Sequence, residues 1–420
     1  MNPPWLLLQA VCGFVLLHGI AWLLCERRHD LRWRPVLGGS LLSLLLGALL
    51  LNAPALQQGF WLLNGLLDAL ESATRDGTSF VFGFLGGGSL PYAETNPAAS
   101  FVLAFRALPL VLVVSALSAL LMHWGVLPWL VRAMSLLLRK SMGVGGAVGL
   151  ASAANVFVGM VEAPLVVQAW IGRMNRGELF VLMSCGMVTI AGTVMGLYAA
   201  VLSRAVPDAL GHILIASIIA TPAAMAVSLL MVPEDGPSTE AGVEPTDKAV
   251  PGSSMEAMMR GTVDGAALLV NIIAMLVVLV ALVSLLNQLL SCLPAVGSAP
   301  LSLQRMLGWL MAPVVWLAGI PWHEAVTAGA LMGTKTVLNE LLAYLDLARL
   351  PAEELSARSR LIMTYALCGF ANFGSLGIML GGLCTMAPTR RAEIVQLGFR
   401  SLISGTLATL IAASIAAMWR

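Results

Sequence analysis

Apolar residues in this chain run in stretches of about 20 rather than alternating one by one. That is the length an α-helix needs to cross a bilayer, and it is not the pattern of a barrel strand. Eight spans are expected, at residues 5–24, 36–56, 100–122, 179–202, 208–232, 262–291, 359–385 and 401–419. Residues 57–78 differ. Phe60, Leu63, Leu66, Leu67 and Leu70 recur at helical spacing, with Asp68, Glu71 and Arg75 opposite. This spacing predicts an amphipathic helix lying in the membrane interface. Two further apolar segments, 143–172 and 319–347, are punctuated by glycine and proline and are too broken to span. Each is expected to enter and leave on one side as a re-entrant hairpin, which membranes tolerate only where protein or a water-filled cavity covers the irregular backbone.

The fold class expected is therefore an all-α integral membrane protein of eight transmembrane helices, two re-entrant hairpins and an interfacial amphipathic helix. A span, a hairpin and two spans recur in each half, which points to an inverted repeat. The expected division is residues 1–99 for the N-terminal scaffold helices and interfacial helix, 100–232 for the first repeat, 233–260 for a linker and 261–420 for the second repeat. The stretch 233–256 is polar, acidic and rich in Pro and Gly, and reads as a flexible cytoplasmic linker. Basic residues orient the spans. Arg27, Arg28, Arg32 and Arg34 follow the first span; Arg132, Arg139, Lys140, Arg173 and Arg176 flank the third and fourth; Arg390, Arg391 and Arg400 precede the last. All three clusters fall on one side if both termini are external, that is periplasmic in a bacterial inner membrane.

Composition narrows the class further. The chain is 59% hydrophobic and 11% charged, with a mean hydropathy of +0.89, whereas soluble domains carry about 25% charge. The net charge of +1 gives no nucleic-acid signal. Cys12, Cys25, Cys185, Cys292, Cys368 and Cys384 show neither CxxC nor Cys/His spacing, so no disulfide framework or zinc site is indicated. The first apolar run has its charges after it and no small-residue cleavage site, so it reads as a span rather than a signal peptide.

Against this background two carboxylates stand out. Glu162 and Glu340 lie in the two broken segments, where burying a charge costs about 2.5–3.5 kcal/mol on insertion scales. Interrupted segments in corresponding positions of two halves mark a transporter's binding site. Pro164 suits the first turn of a helix, which places Glu162 just ahead of a helix N-terminus. Asn155, carbonyls near Val158 and the polar run Thr189–Gly192 offer oxygen ligands suited to a hard cation such as sodium. In the second hairpin Asn339 and Glu340 form a hydrogen-bonding pair expected to contact the substrate, and Lys335 is placed to neutralise Glu340. The run Cys368–Gly377 contains three glycines, Asn372 and Ser375, which predicts an unwound helix exposing polar groups. Carboxylate, amide and hydroxyl suit a polyhydroxylated ligand such as a sugar, and Phe370 and Phe373 could stack on a flat one. His18 and His212 read as packing histidines, His323–Glu324 as interfacial and Arg106 as snorkelling or paired. Nothing supplies a nucleophile–base pair or metal triad, which argues against an enzyme.

At these motifs the chain resembles the concentrative nucleoside transporter family, over about residues 80–419. The matching residues are Asn155-Val-Phe-Val-Gly, Glu162-Ala-Pro-Leu165, Arg176-Gly-Glu-Leu-Phe180 and Thr189-Ile-Ala-Gly-Thr193 with Tyr198. They continue with Gly333-Thr-Lys-Thr-Val-Leu-Asn-Glu-Leu-Leu-Ala-Tyr344 and Ala366-Leu-Cys-Gly-Phe-Ala-Asn-Phe-Gly-Ser375. The resemblance implies a homotrimer importing nucleosides with a coupling cation by alternating access. It places sodium on Asn155, Val158, Thr189 and Ile190, the ribose on Glu340, Asn372 and Ser375, and the base near Glu162, Val194 and Phe370 with Met160 and Val161 beside them. Family members commonly carry Gln-Thr where this chain has Met160-Val161, and an acidic residue common upstream is absent around Ala147–Gly149. Firm ribose recognition with altered base selectivity is expected. Proton coupling, or a different polar solute on the same fold, is the alternative.

Overall fold

The computed structural model describes residues 4–92, 102–203, 205–239, 252–296 and 300–419, with the backbone alone at Pro4 and residues 54–64. The first helices are α1 (Pro4–Leu23), α2 (Trp33–Asn52) and α3 (Pro54–Phe82). Next come α4 (Leu103–Arg106), α5 (Leu110–His123) and α6 (Val126–Met142). The first hairpin is α7 (Gly146–Asn155), α8 (Glu162–Val166) and α9 (Gln168–Ile171), followed by α10 (Arg176–Val188), α11 (Gly192–Leu202) and α12 (Ala209–Met231). The second half begins with α13 (Ser254–Ser291) and α14 (Leu303–Leu317). Its hairpin is α15 (Ala325–Val337) and α16 (Glu340–Arg349), followed by α17 (Ala357–Leu367), α18 (Phe373–Met386) and α19 (Arg391–Trp419).

Seven helical stretches among the described residues are long and apolar enough to cross a membrane: Trp5–Leu23, Trp33–Asn52, Leu103–His123, Arg176–Leu202, Ala209–Met231, Ser254–Ser291 and Pro388–Trp419. The seventh expected span, 359–385, is not one helix. It breaks between Leu367 and Phe373, where Gly369 takes φ +133° and Asn372 caps the restarting helix. The stretch 179–202 also breaks, between Val188 and Gly192. Helix α13 starts eight residues earlier than expected, at Ser254, because Ser253 accepts a hydrogen bond from the Glu256 amide as an N-cap. Helices α6 and α14 were not anticipated. Each buries one stripe at helical spacing, Val131, Ser135, Leu138 and Met142 in the first and Gly308, Ala312 and Val315 in the second.

Helix α3 covers the expected amphipathic segment. Leu67 is buried and Leu70 half-buried, while Asp68, Glu71 and Arg75 are exposed; Leu66 is exposed too. The side chains of Phe60 and Leu63 lie outside the described residues. So do residues 240–251 of the expected linker and the boundary at 99–100. The linker's first part is not loose. Glu234 pairs with Arg32 at 2.8 Å, and Asp235 with Arg27 at 3.3 Å. Thr239 donates its amide and hydroxyl to Glu178, each at 2.7 Å. Glu178 already closes a capping box with Asn175 at the start of α10, so the linker docks on a carboxylate that the helix terminus holds in place.

The basic clusters expected on one side of the membrane meet in one network. Arg176 donates to both oxygens of Glu26 at 2.9 and 3.0 Å. Arg400 lies 3.6 Å from the same carboxylate, and Arg390 bonds Glu393 and the Ile171 carbonyl. The base of the first hairpin is thus tied to the first turns of α19. The base of the second hairpin is tied to its far end. Arg358 bonds the carbonyls of Gly319 and Ala417, and Glu324 accepts from Ser356. Glu393 and Ala417 lie roughly 36 Å apart at 1.5 Å rise per helical residue. Helices α12 and α19 are buried along most of their length and form the core between these ends.

Candidate functional site

The break between α17 and α18 is held by the second hairpin. Ending α17 at Leu367 leaves carbonyls without helical partners. Lys335, fully buried on α15, donates its ammonium to the Ala366 carbonyl at 2.8 Å and to the Thr409 hydroxyl at 3.3 Å. Tyr344 of α16 donates to the Thr364 carbonyl at 2.9 Å. Asn372 caps α18 by accepting from the Ser375 amide at 2.7 Å, and its own amide donates to Glu340 Oε2 at 2.8 Å. Tyr198, on α11, donates to Glu340 Oε1 at 2.6 Å. Glu340 is 4% exposed. Two donors on one carboxylate satisfy an ionised acceptor and leave lone pairs for further donors.

The break between α10 and α11 is held by the first hairpin. Asn155 ends α7 and its side-chain amide donates to the Cys185 carbonyl. This fixes the amide's orientation and leaves Asn155 Oδ1 buried without a partner. Thr189 donates its hydroxyl to the Asn155 carbonyl at 2.7 Å, which leaves the hydroxyl oxygen's lone pairs for another ligand. The Gly192 amide donates to the Phe157 carbonyl at 3.1 Å. An orphaned amide oxygen, a hydroxyl oxygen and turn carbonyls form a donor set that fits a hard cation.

The two breaks touch. A Cβ on Gly369 would lie 2.8 Å from the Val188 carbonyl carbon and oxygen, so only glycine admits this approach, and its φ of +133° requires glycine as well. Interrupted helices from the two halves therefore cross where each unwinds.

Comparison with known proteins identifies what this crossing belongs to. A family profile described as "Na+ dependent nucleoside transporter C-terminus" matches residues 212–417, its N-terminal counterpart matches 12–85, and one described as "Nucleoside recognition" matches 104–205. The putative nucleoside permease NupX of Escherichia coli is 32% identical over 97% of this chain and 98% of its own. Nucleoside permease NupC of Helicobacter pylori is 31% identical over 98% and 97%. A solved structure of CNTnw in an inward-facing substrate-bound state has 34% identity and a TM-score of 0.89, covering 99% of this chain and 98% of that one. The chain belongs to the concentrative nucleoside transporter family. It is a nucleoside transporter, not an enzyme.

Within this transporter the expected site residues divide. Glu340, Asn372 and Ser375 come together through direct hydrogen bonds, and so do Asn155 and Thr189, with Ile190 buried beside them and Val158 one turn past Asn155. Val194 is buried near the start of α11 and Phe370 is half-buried against the core. Met160 packs on Gly186 of α10, and Val161 on Gly382 of α18. Glu162 is exposed rather than buried, as the first residue of the five-residue α8, and its carboxylate folds back over Gly159. Lys335 forms no ion pair with Glu340 within 4 Å; its ammonium donates to the freed α17 carbonyl, and its charge acts on Glu340 from farther off. Asn339 Oδ1 caps α16 by accepting from the Leu342 amide.

Residues with minor roles also resolve. Phe373 is half-exposed, Glu324 is buried and His323 is exposed. His18 packs as expected, bonded to Phe14 and Ser40, as does His212 with Tyr365. Arg106 donates to the Phe84 carbonyl at 3.2 Å. Sequence reasoning gave Tyr198 no role. Its only signal was a lone tyrosine in an apolar run, within a matched motif.

Proposed function

We propose that this protein imports nucleosides by cation-coupled symport, with sodium as the coupling ion and alternating access as the cycle. The observation that carries this reading is the Glu340 carboxylate, buried at the crossing and held by Tyr198 and Asn372. Its remaining lone pairs accept the 2′ and 3′ hydroxyls of the ribose, with Asn372 and Ser375 beside it. Sodium binds Asn155 Oδ1, the Thr189 hydroxyl and the carbonyls of Val158 and Ile190. The base lies toward Met160, Val161, Glu162, Val194 and Phe370. The apolar pair at 160–161 offers no hydrogen bond to a base, so base selectivity is relaxed, since a wall that forms no hydrogen bond discriminates weakly.

The two halves form an inverted repeat in this reading. Its support is the matched helix order and the tying of the hairpin bases to opposite ends of α19. External sodium and nucleoside bind between the hairpins, and the body carrying both breaks then moves to release them inside. Both termini are periplasmic, the membrane is the bacterial inner membrane, and the assembly is a homotrimer, a reading supported by the resemblance to the family.

The test is uptake in proteoliposomes with an inward sodium gradient. Glu340→Gln keeps the shape but turns an amide toward the donors Tyr198 and Asn372, and uptake should be lost. Normal uptake by this variant refutes the ribose assignment. Undiminished wild-type uptake in sodium-free buffer under an imposed pH gradient would replace sodium by protons.

A further inference from the structure

The two subsites lie on different breaks, yet symport requires that each sense the other. Coupling between sites is a free energy, and it needs an element that both ligands bias. One helix links the subsites, with a side chain at its far end. Helix α11 begins at Gly192, two residues after Ile190, and its start is tied to the first hairpin by the Gly192–Phe157 bond at 3.1 Å. Six residues on, Tyr198 reaches across to Glu340 in the second hairpin. The helix between them is buried at Val194 through Ala199, so a shift at its N-terminus passes along a packed rod. The Tyr198 ring lies 5.5 Å from that of Tyr344, which itself holds the end of α17.

We propose that Tyr198 is the positioning residue that couples the cation to the nucleoside, through Thr189, α11 and the Tyr198–Glu340 bond. The inference rests on the two subsites proposed above. Cation binding fixes Thr189 and Ile190, which sets the axial position of α11 and brings the phenol into line with the carboxylate. The O–H···O⁻ distance of 2.6 Å is that of a strong, charge-assisted bond, sensitive to small displacements. With the phenol in place, Glu340 presents its free lone pairs to the ribose. Without the cation the phenol is held less firmly and the carboxylate is less well oriented.

A purely structural tyrosine makes a different prediction. If Tyr198 only satisfies a buried carboxylate, Tyr198→Phe weakens nucleoside binding equally with and without sodium. If it couples, the variant loses the sodium-dependent part. The measurement is the Kd of uridine and of adenosine for the purified full-length protein, at zero and at saturating sodium. In the wild type sodium should tighten binding by about 5- to 150-fold, the usual range of such couplings. In Tyr198→Phe the ratio should fall below about twofold, while the thermal shift caused by sodium alone is retained. An unchanged ratio overturns the proposal, as does loss of nucleoside binding at every sodium concentration. No sodium effect in the wild type removes the sodium reading itself, and the proposal with it. Hydrogen–deuterium exchange supplies a check that needs no variant. Sodium without nucleoside should slow exchange across residues 192–198, and unchanged exchange there overturns the proposal.

Discussion

Lys335→Met removes a buried ammonium while keeping most of its volume, and its cost can be worked from the contacts. The strong interaction is the 2.8 Å bond to the Ala366 carbonyl; the bond to Thr409 is long, at 3.3 Å, and goes to a neutral hydroxyl. A hydrogen bond from a charged donor is worth about 1.5–3 kcal/mol, and leaving a buried carbonyl unpaired costs about 1–3 kcal/mol. Opposing this, the ammonium carries a desolvation penalty of several kcal/mol that methionine does not. The net loss of stability should therefore be modest, about 1–3 kcal/mol. The functional loss should be larger. Lys335 holds the end of α17, directly before the Cys368–Asn372 turn that aims Asn372 at Glu340. A displacement of about 1 Å can cost about 100-fold where geometry is strict, so the nucleoside KM should rise about 10- to 100-fold. Thermal unfolding in detergent and initial uptake rates in proteoliposomes read the two quantities separately. Thr409→Val serves as the control. It removes only the weak bond and should change stability by less than about 1 kcal/mol with KM unaltered. A wild-type KM for Lys335→Met, or equal losses in the two variants, would refute the assignment of Lys335 as the clamp on this break.

Two further outcomes follow from the structure. Introducing Met160→Gln with Val161→Thr places hydrogen-bonding groups on the apolar wall, and should widen the ratio of purine to pyrimidine uptake about tenfold or more in a competition panel; an unchanged ratio separates these residues from the base. Outside the membrane spans, the hydrogen bond from Arg176 holds the Glu26 carboxyl below its ordinary value, with burial opposing and the charges of Arg176, Arg400 and Arg27 assisting. A depressed folded value means that Glu26 stabilises the protein above pH 4.5 and loses that contribution as pH falls through the folded value. Glu26→Gln should accordingly melt below the wild type at pH 7, with the gap closing under acid; a gap independent of pH would contradict the ion-pair account.

How much of this was readable in the sequence depends on whether a feature is local. Span length, the broken segments and the polar run 368–377 are properties of neighbouring residues, and the structure places helices, short broken helices and an unwound turn there. Helices α6 and α14 escaped because their apolar stripes are shorter than a bilayer, so they carry a helical period without the length of a span. The partnerships of charged groups were not legible, since they are decided by what the fold brings near. Glu162 and Glu340 look alike as sequence, each an acid in a punctuated apolar segment. Glu340 is buried because an unwound helix and a tyrosine from the other half supply two donors to it. Glu162 begins a helix of five residues and is exposed. The same rule relocates Lys335. Five residues from Glu340 in sequence, it goes instead to a carbonyl orphaned by the helix break, which offers it a closer and geometrically better acceptor. The Lys335 ammonium is thus placed by the broken helix beside it, with the Glu340 charge acting on it from beyond 4 Å. That places the polar chemistry of this transporter at its two interruptions, where the backbone itself has unpaired groups to offer.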